Sequence, residues 1–289
     1  MKNYLKRNWT TVYEESKIRI MFWNCLANEL AKKPYNGKLP FPYTDQSILE
    51  WSYRFPLIIN EISRINPDII CLAEIDGDDY TNSFQKEFSK LGYNSIHKNK
   101  LENNDGVCIA WRINKFNLEK STIKNLHKQH SQIAIFTMLK IIENGKKLCV
   151  INTHLKSKSN FLEVRNEEGN KILEILEEFN DTNAPQVICG DFNESIDRGV
   201  CKLLINNNYQ SIQPFPNQGE DYWTTWKKMD TEIKKQEDYI WIKNNSGIIP
   251  VAMYKLPEYS QVLNLLPCYN HPSDHLSIAC DITLKDNMK

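Results

Sequence analysis

The sequence predicts an α/β layered fold. Short apolar runs alternate with stretches of helical period, which is the pattern of strands and helices stacked in layers. The 289 residues are 41% hydrophobic and 25% charged, so the chain is long and apolar enough to bury a large core without staples. No internal repeat or low-complexity linker divides it, so a single domain is expected over residues 18–285, behind an N-terminal extension, 1–17.

In order along the chain, the first strand is expected at Ile18–Trp23. A helix follows over Trp51–Ile65, where Ile58, Ile59, Ile62 and Ile65 fall on one stripe. Asn66-Pro67 ends it, because the residue before a proline is pushed out of the helical region. Further strands are expected at Asp68–Ala73, Val107–Arg112, Ile133–Ile142 and Leu148–Thr153. A second helix spans Phe161 to Phe179, carrying Leu162, Ile172, Leu173 and Leu176. Strands at Val187–Gly190, Tyr239–Lys243 and Leu276–Thr283 complete the set. Gln213–Glu237 is polar, spotted with aromatics and aperiodic, and reads as a long functional loop.

Lys plus Arg and Asp plus Glu both total 36, so an anionic ligand must be held by a local basic cluster. Among the eight cysteines, Cys71, Cys149, Cys189 and Cys280 sit inside apolar runs and read as small buried hydrophobes in a reducing compartment. The opening residues have no apolar leader and include Glu14 and Glu15, and no run approaches the ~18 apolar residues needed to span a membrane. A cytoplasmic monomer without membrane association is expected, with a mitochondrial address left open.

Function is signalled where apolar strands meet single polar residues. Asn24 follows IRIMFW, Glu74 follows DIICLA, His154 follows LCVINT and Asp191 follows VICG. Asp238 precedes YIWI, and Asp274-His275 precede LSIACDI. In a mixed sheet, the C-terminal ends of some strands share an edge with the N-terminal ends of antiparallel neighbours. All six positions can then meet on one rim. Singly, each has a plainer account as a turn residue, a helix cap or a satisfied histidine. Together they are the residue types phosphoryl chemistry needs. Glu74 suits a hard Mg²⁺ ion, with Asn24 as a neutral oxygen donor. Asp191 suits the base that orients water, Asn193 and His154 the donors to phosphoryl oxygens, and His275 with Asp238 a proton-transfer pair.

The segments RIMFWNCLANEL, PDIICLAEID, NTHLKSK, VICGDFNES, TTWKK, EDYIWI and HPSDHLSI resemble, as an ordered set, the endonuclease/exonuclease/phosphatase family. The resemblance implies two packed mixed β-sheets flanked by helices, a four-layer sandwich. It also implies metal-dependent hydrolysis of a phosphate ester, with Mg²⁺ as cofactor and Mn²⁺ as a substitute. Residue by residue, it gives Asn24 and Glu74 as metal-site positions, with Asp274 in support. Asp191 and Asn193 become the water-orienting and phosphate-binding pair, His154 and His275 phosphate contacts, and Asp238 the partner of His275.

THLKSKSNFLEVRNEEG is similar to one subgroup of that family, in which Lys156, Lys158, Arg165 and Gly169 match, along with Lys100 after LGYNSIH. The implied activity is removal of the 2′-phosphate from NADP(H), and clustered cations suit such a substrate. A poly(A) exoribonuclease is the alternative, since the same cations would serve an RNA backbone. An inactive binding protein is the alternative from another class. Trp226 and Lys227, near Trp223, are candidate contacts to a base or ribose, although aromatic loop anchors are equally common. Glu168 departs from the subgroup, which usually has Gln there, and the segment before Asp105-Gly106 is shorter than usual. Cys268, His271 and His275 offer only part of a zinc site and are not read as one. His127 and His130 read as surface residues.

Overall fold

A computed structural model describes residues 5, 7–11, 17–34, 37–213, 222–228, 231–257, 261–262 and 265–285. Its strands in chain order are β1 Ile18–Asn24, β2 Ile69–Asp76, β3 Tyr93–Asn99, β4 Asp105–Arg112 and β5 Phe116–Asn125. There follow β6 Ile133–Ile141, β7 Lys147–His154, β8 Gln186–Asp191 and β9 Tyr209–Ser211. The last are β10 Thr225–Lys228, β11 Glu232–Lys235, β12 Asp238–Lys243, β13 Ile248–Met253 and β14 Ile278–Leu284.

Two six-stranded mixed sheets result, ordered β13-β14-β1-β2-β4-β3 and β5-β6-β7-β8-β12-β9. Each sheet contains one parallel pair, β1 with β2 and β7 with β8. A parallel pair needs a crossover, and the Trp51–Ile65 and Leu162–Phe179 helices supply them. The first helix stops at Asn66, whose left-handed backbone (φ +54°) donates its N–H to Ile62 O.

Strand periodicity explains the layers. Ile20 and Phe22 of β1 face the second sheet, whose Val150, Val187 and Ile240 meet them. Met21 and Trp23 face the other way, onto Ile58, Ile62 and Ile65 of the first helix. In the second sheet Cys149 and Ile151 face Ile172 and Leu176. Central strands are therefore buried on both faces, which is why they read as continuous apolar runs. Each fully buried isoleucine contributes about 1.5–3 kcal/mol.

The strands and helices expected from the sequence are present, with ends shifted by a residue or two, except β2, which runs three residues past Ala73. Elements without a sequence expectation are edge or short ones, among them β3, β5, β9, β13 and the Asn28–Lys32, Gly77–Asp79, Gln85–Lys90 and Gly199–Asn206 helices. β5 is mostly exposed and carries Lys120 and Lys124, so it has little apolar signal. The stretch read as an aperiodic loop holds the antiparallel hairpin β10–β11, although residues 214–221 and 229–230 of it lie outside the described residues. Among the described residues no helix is long and apolar enough to cross a membrane.

Candidate active site

The rim where the parallel pairs end gathers the polar residues. His154 and Asp191 are paired across β7 and β8, and Asp191 and Asp238 across β8 and β12. From the first sheet, Asn24 closes β1 and Glu74 sits at a bulge in β2. Asp274 and His275 arrive on the loop before β14.

Two backbone distortions aim these groups. Glu74 (φ +54°) and Asn193 (φ +50°) are both left-handed, which costs about 1–3 kcal/mol each and persists only where packing enforces it. Asn24, fully buried, links the sheets: its Nδ2 donates to Glu74 Oε1 at 2.9 Å and to Asp191 Oδ2 at 3.0 Å. Its Oδ1 accepts the Leu26 N–H at 3.1 Å. Asn24 therefore stands between the two carboxylates, with its amide nitrogen turned to them and its oxygen to the Leu26 N–H.

The histidines differ in charge. Lys100 Nζ is 2.6 Å from Asp105 and 3.1 Å from His154 Nδ1, which leaves the His154 proton on Nε2. Burial, reinforced by Lys100, holds His154 well below the ordinary imidazole value, so it is neutral. Its Nε2 lies 3.7 Å from Asp191 and 4.0 Å from Glu74. For His275, burial opposes the charged ring, yet Asp238, Asp274 and Asp191 outweigh it and raise the group to about 10. His275 Nδ1 pairs with Asp238 Oδ2 at 2.9 Å, and Nε2 lies 3.8 Å from Asp191. Burial and the Asp238 charge push Asp191 up to about 7. Burial, with Asp274 and Asp105 beyond, raises Glu74.

A cavity of about 260 Å³ opens onto this rim, lined by Glu74, Lys100, Lys156, Asp191, Lys227 and His275 among others. Asn193 also lines it, and its backbone N–H holds Asp191 Oδ1 at 2.9 Å. Asp274 is drawn aside by Lys227 at 2.5 Å, and that cation, against the effect of burial, lowers its carboxyl.

The basic patch divides. Lys100, Lys156 and Lys227 reach the cavity; Lys158 is exposed and outside its lining. Arg165 is buried, with its guanidinium taken by Glu194 and the carbonyls of Lys156 and Lys158. Trp226, 6% exposed, packs with Trp223, Leu5, Val262 and Leu266, and so anchors the hairpin away from the cavity. His271 gives Nε2 to the His275 carbonyl, while His127 pairs with Glu167. Sequence reasoning missed Ser273, whose hydroxyl donates to Asn24 O and accepts the His275 N–H. It also missed Arg54, which binds the carbonyls of Leu49, Cys25, Leu26 and Pro272. Ser273 lay in the PSDH segment; a buried arginine on an apolar helix leaves no such signal.

Asp191, Asp238 and His275 present ligand atoms within 4.8 Å of one another and could hold an ion. His275, however, is charged and spends Nδ1 on Asp238, so this trio is better described as an acid–imidazolium pair beside a carboxylate. A hard divalent ion prefers oxygen donors, and the crowded oxygens of Glu74 and Asp191 fit it. Burial is the first cause of both raised values, and a bound cation would offset it.

Residues 21–275 match the profile of the endonuclease/exonuclease/phosphatase family. Nocturnin of Mus musculus is 32% identical over 94% of this chain, which spans 66% of the mouse protein. The 2′,5′-phosphodiesterase 12 of Rattus norvegicus is 25% identical over 95% of the chain and 53% of its own length. The human nocturnin catalytic domain, solved with a bound sulfate anion, superposes with a TM-score of 0.77 at 29% identity, covering 97% of both chains. The profile match and the superposition agree, and the chain belongs to the endonuclease/exonuclease/phosphatase family, with nocturnin among its relatives.

Proposed function

We propose that the protein removes the 2′-phosphate of NADP(H) by Mg²⁺-assisted hydrolysis. One observation carries the reading: three lysines, Lys100 paired with Asp105, Lys227 paired with Asp274, and Lys156, line one small cavity with Glu74 and Asp191. Converging cations suit a compact, highly charged phosphate group, whereas a polymer backbone is tracked by a groove with stacking platforms. The likeness to nocturnin supports the same subgroup.

Glu74 would hold the Mg²⁺ ion with oxygen from Asp191, while Asn24 and Asp274 support the site. A bound ion supplies charge neutralisation for the phosphoryl oxygens. The side chains divide the remaining work. Asp191, kept in place by the Asn193 N–H, orients the attacking water and accepts its proton. Neutral His154 donates from Nε2 to a phosphoryl oxygen, and Lys100 fixes that tautomer. Cationic His275, steadied by Asp238, donates a second hydrogen bond or a proton to the leaving oxygen. Lys156 and Lys227 draw in the charged substrate.

Purified protein with Mg²⁺ is incubated with NADPH and, separately, with a poly(A) oligonucleotide. Phosphate release from NADPH is expected. Strand shortening without NADPH turnover would overturn the reading in favour of an exoribonuclease.

A further inference from the structure

The turn after β7 carries Lys156 and Lys158, and the first two turns of the Leu162–Phe179 helix grip its backbone. Arg165 Nη1 donates to the carbonyls of Lys156 at 3.0 Å and Lys158 at 2.8 Å. Arg165 is itself fixed by Glu194, whose Oε2 accepts from Nε and Nη2 at 3.2 and 2.8 Å. Lys158 is left-handed, at φ +77°, a conformation held in place by that grip. On the other side, Glu168 Oε2 accepts the Lys156 N–H at 2.9 Å. Glu168 is fully buried, and its Oε1 has no hydrogen-bond partner among the described residues. A half-satisfied buried carboxyl is costly, so its presence behind a basic wall calls for a function.

We propose that Arg165 and Glu168 are positioning residues that fix the Lys156–Lys158 turn as one wall of the cavity, with Glu168 setting how tightly that wall holds an anion. The inference rests on the phosphate-ester reading of the site. The charged groups around Glu168 are Arg165 on its own helix, Lys156 on the turn and Lys100 from the first sheet, with Glu194 behind Arg165. Burial nevertheless pushes Glu168 up to about 7, against the pull of the Lys156 N–H and those cations. Below that point the neutral carboxyl still accepts the Lys156 N–H and adds no charge. Above it, an anion sits behind the lysines and opposes the ligand.

Calorimetric titration with sulfate, whose charge is constant over this range, tests the idea in EDTA at mildly acidic and mildly alkaline pH. Glu168→Gln keeps the acceptor and cannot ionise; Glu168→Leu removes both. The alkaline loss of affinity is expected to be about three- to tenfold larger in wild type than in Glu168→Gln, from one partly screened charge near the ligand. Glu168→Leu is expected to bind weakly at both values, because the Lys156 N–H is released. Equal losses in wild type and Glu168→Gln overturn the charge-setting role. Tight binding by Glu168→Leu overturns the positioning role. Should the variants fail to fold, the Lys156 amide shift in ¹⁵N-labelled wild type follows the same titration, and a flat profile is equally fatal. Sulfate binding needs no turnover. A protein showing this pH split without releasing phosphate from NADPH keeps the clamp and loses only the substrate assignment.

Discussion

His275 Nδ1 lies 2.9 Å from Asp238 Oδ2, joining the loop before β14 to the first residue of β12. Both side chains are buried, so the pair is a charged contact shielded from water, and the carboxylate keeps the imidazole cationic. Asp238→Asn removes that charge while keeping the shape. The His275 titration, followed by NMR, should fall from about 10 toward the ordinary range. Turnover should drop roughly 10²- to 10⁴-fold, the usual worth of a positioned proton donor. An imidazole still protonated at high pH in the variant would remove Asp238 from this role.

We propose Glu74 as the main carboxylate for a divalent ion, since it sits at a bulge in β2 and lines the cavity. Glu74→Gln preserves the hydrogen bond from Asn24 and deletes the charge. Calorimetry should show Mg²⁺ binding weakened by at least roughly tenfold to a hundredfold, with turnover falling alongside. Near-normal turnover at limiting Mg²⁺ would contradict the assignment.

The two lysines of the KSK segment should separate. Lys156 lines the cavity and Lys158 points outside it. Lys156→Ala is expected to raise KM for NADPH about tenfold or more, the value of one lost charged hydrogen bond. Lys158→Ala should move KM less than about twofold, as for an exposed charge. Equal effects from both would mean that the turn closes around the substrate.

Stability should respond to Glu168. Its folded value, about 7, stands above the ordinary glutamate value of 4.5, so folding favours the protonated form. The stabilisation is complete below about 4.5 and is lost as pH rises through about 7, amounting to about 3 kcal/mol at most. Denaturant unfolding of Glu168→Gln should therefore gain on wild type on the alkaline side only. A constant difference at all pH values would contradict the burial argument.

Much of this arrangement was legible in the residues. β1, β2, β7 and β8 are buried on both faces, so their apolar runs stood out, and a polar residue ending such a run marked the rim. The edges were illegible because exposed strands such as β5 carry no period. At the site, residue types were visible and directions were not. Arg165 looked like a phosphate ligand in the string, but Glu194, 29 positions away, claims its guanidinium. Trp226 looked like a stacking platform, yet the apolar cluster around Leu266 absorbs it. Local spacing identifies what a side chain can do, while its long-range partners decide where it points.

Asn24 reaches from one sheet to touch Glu74 beside it and Asp191 across the gap, so neither layer owns a complete reaction centre. Catalytic competence then becomes a readout of how the two sheets are seated. Substitutions in the apolar seam between them, such as Cys71→Ser or Ile240→Ala, are therefore expected to disturb the Glu74–Asn24–Asp191 contact without touching any residue of it. The strand bearing Asn24 also pairs with β14, some 260 positions onward, so segments far apart along the chain must meet before the rim is whole.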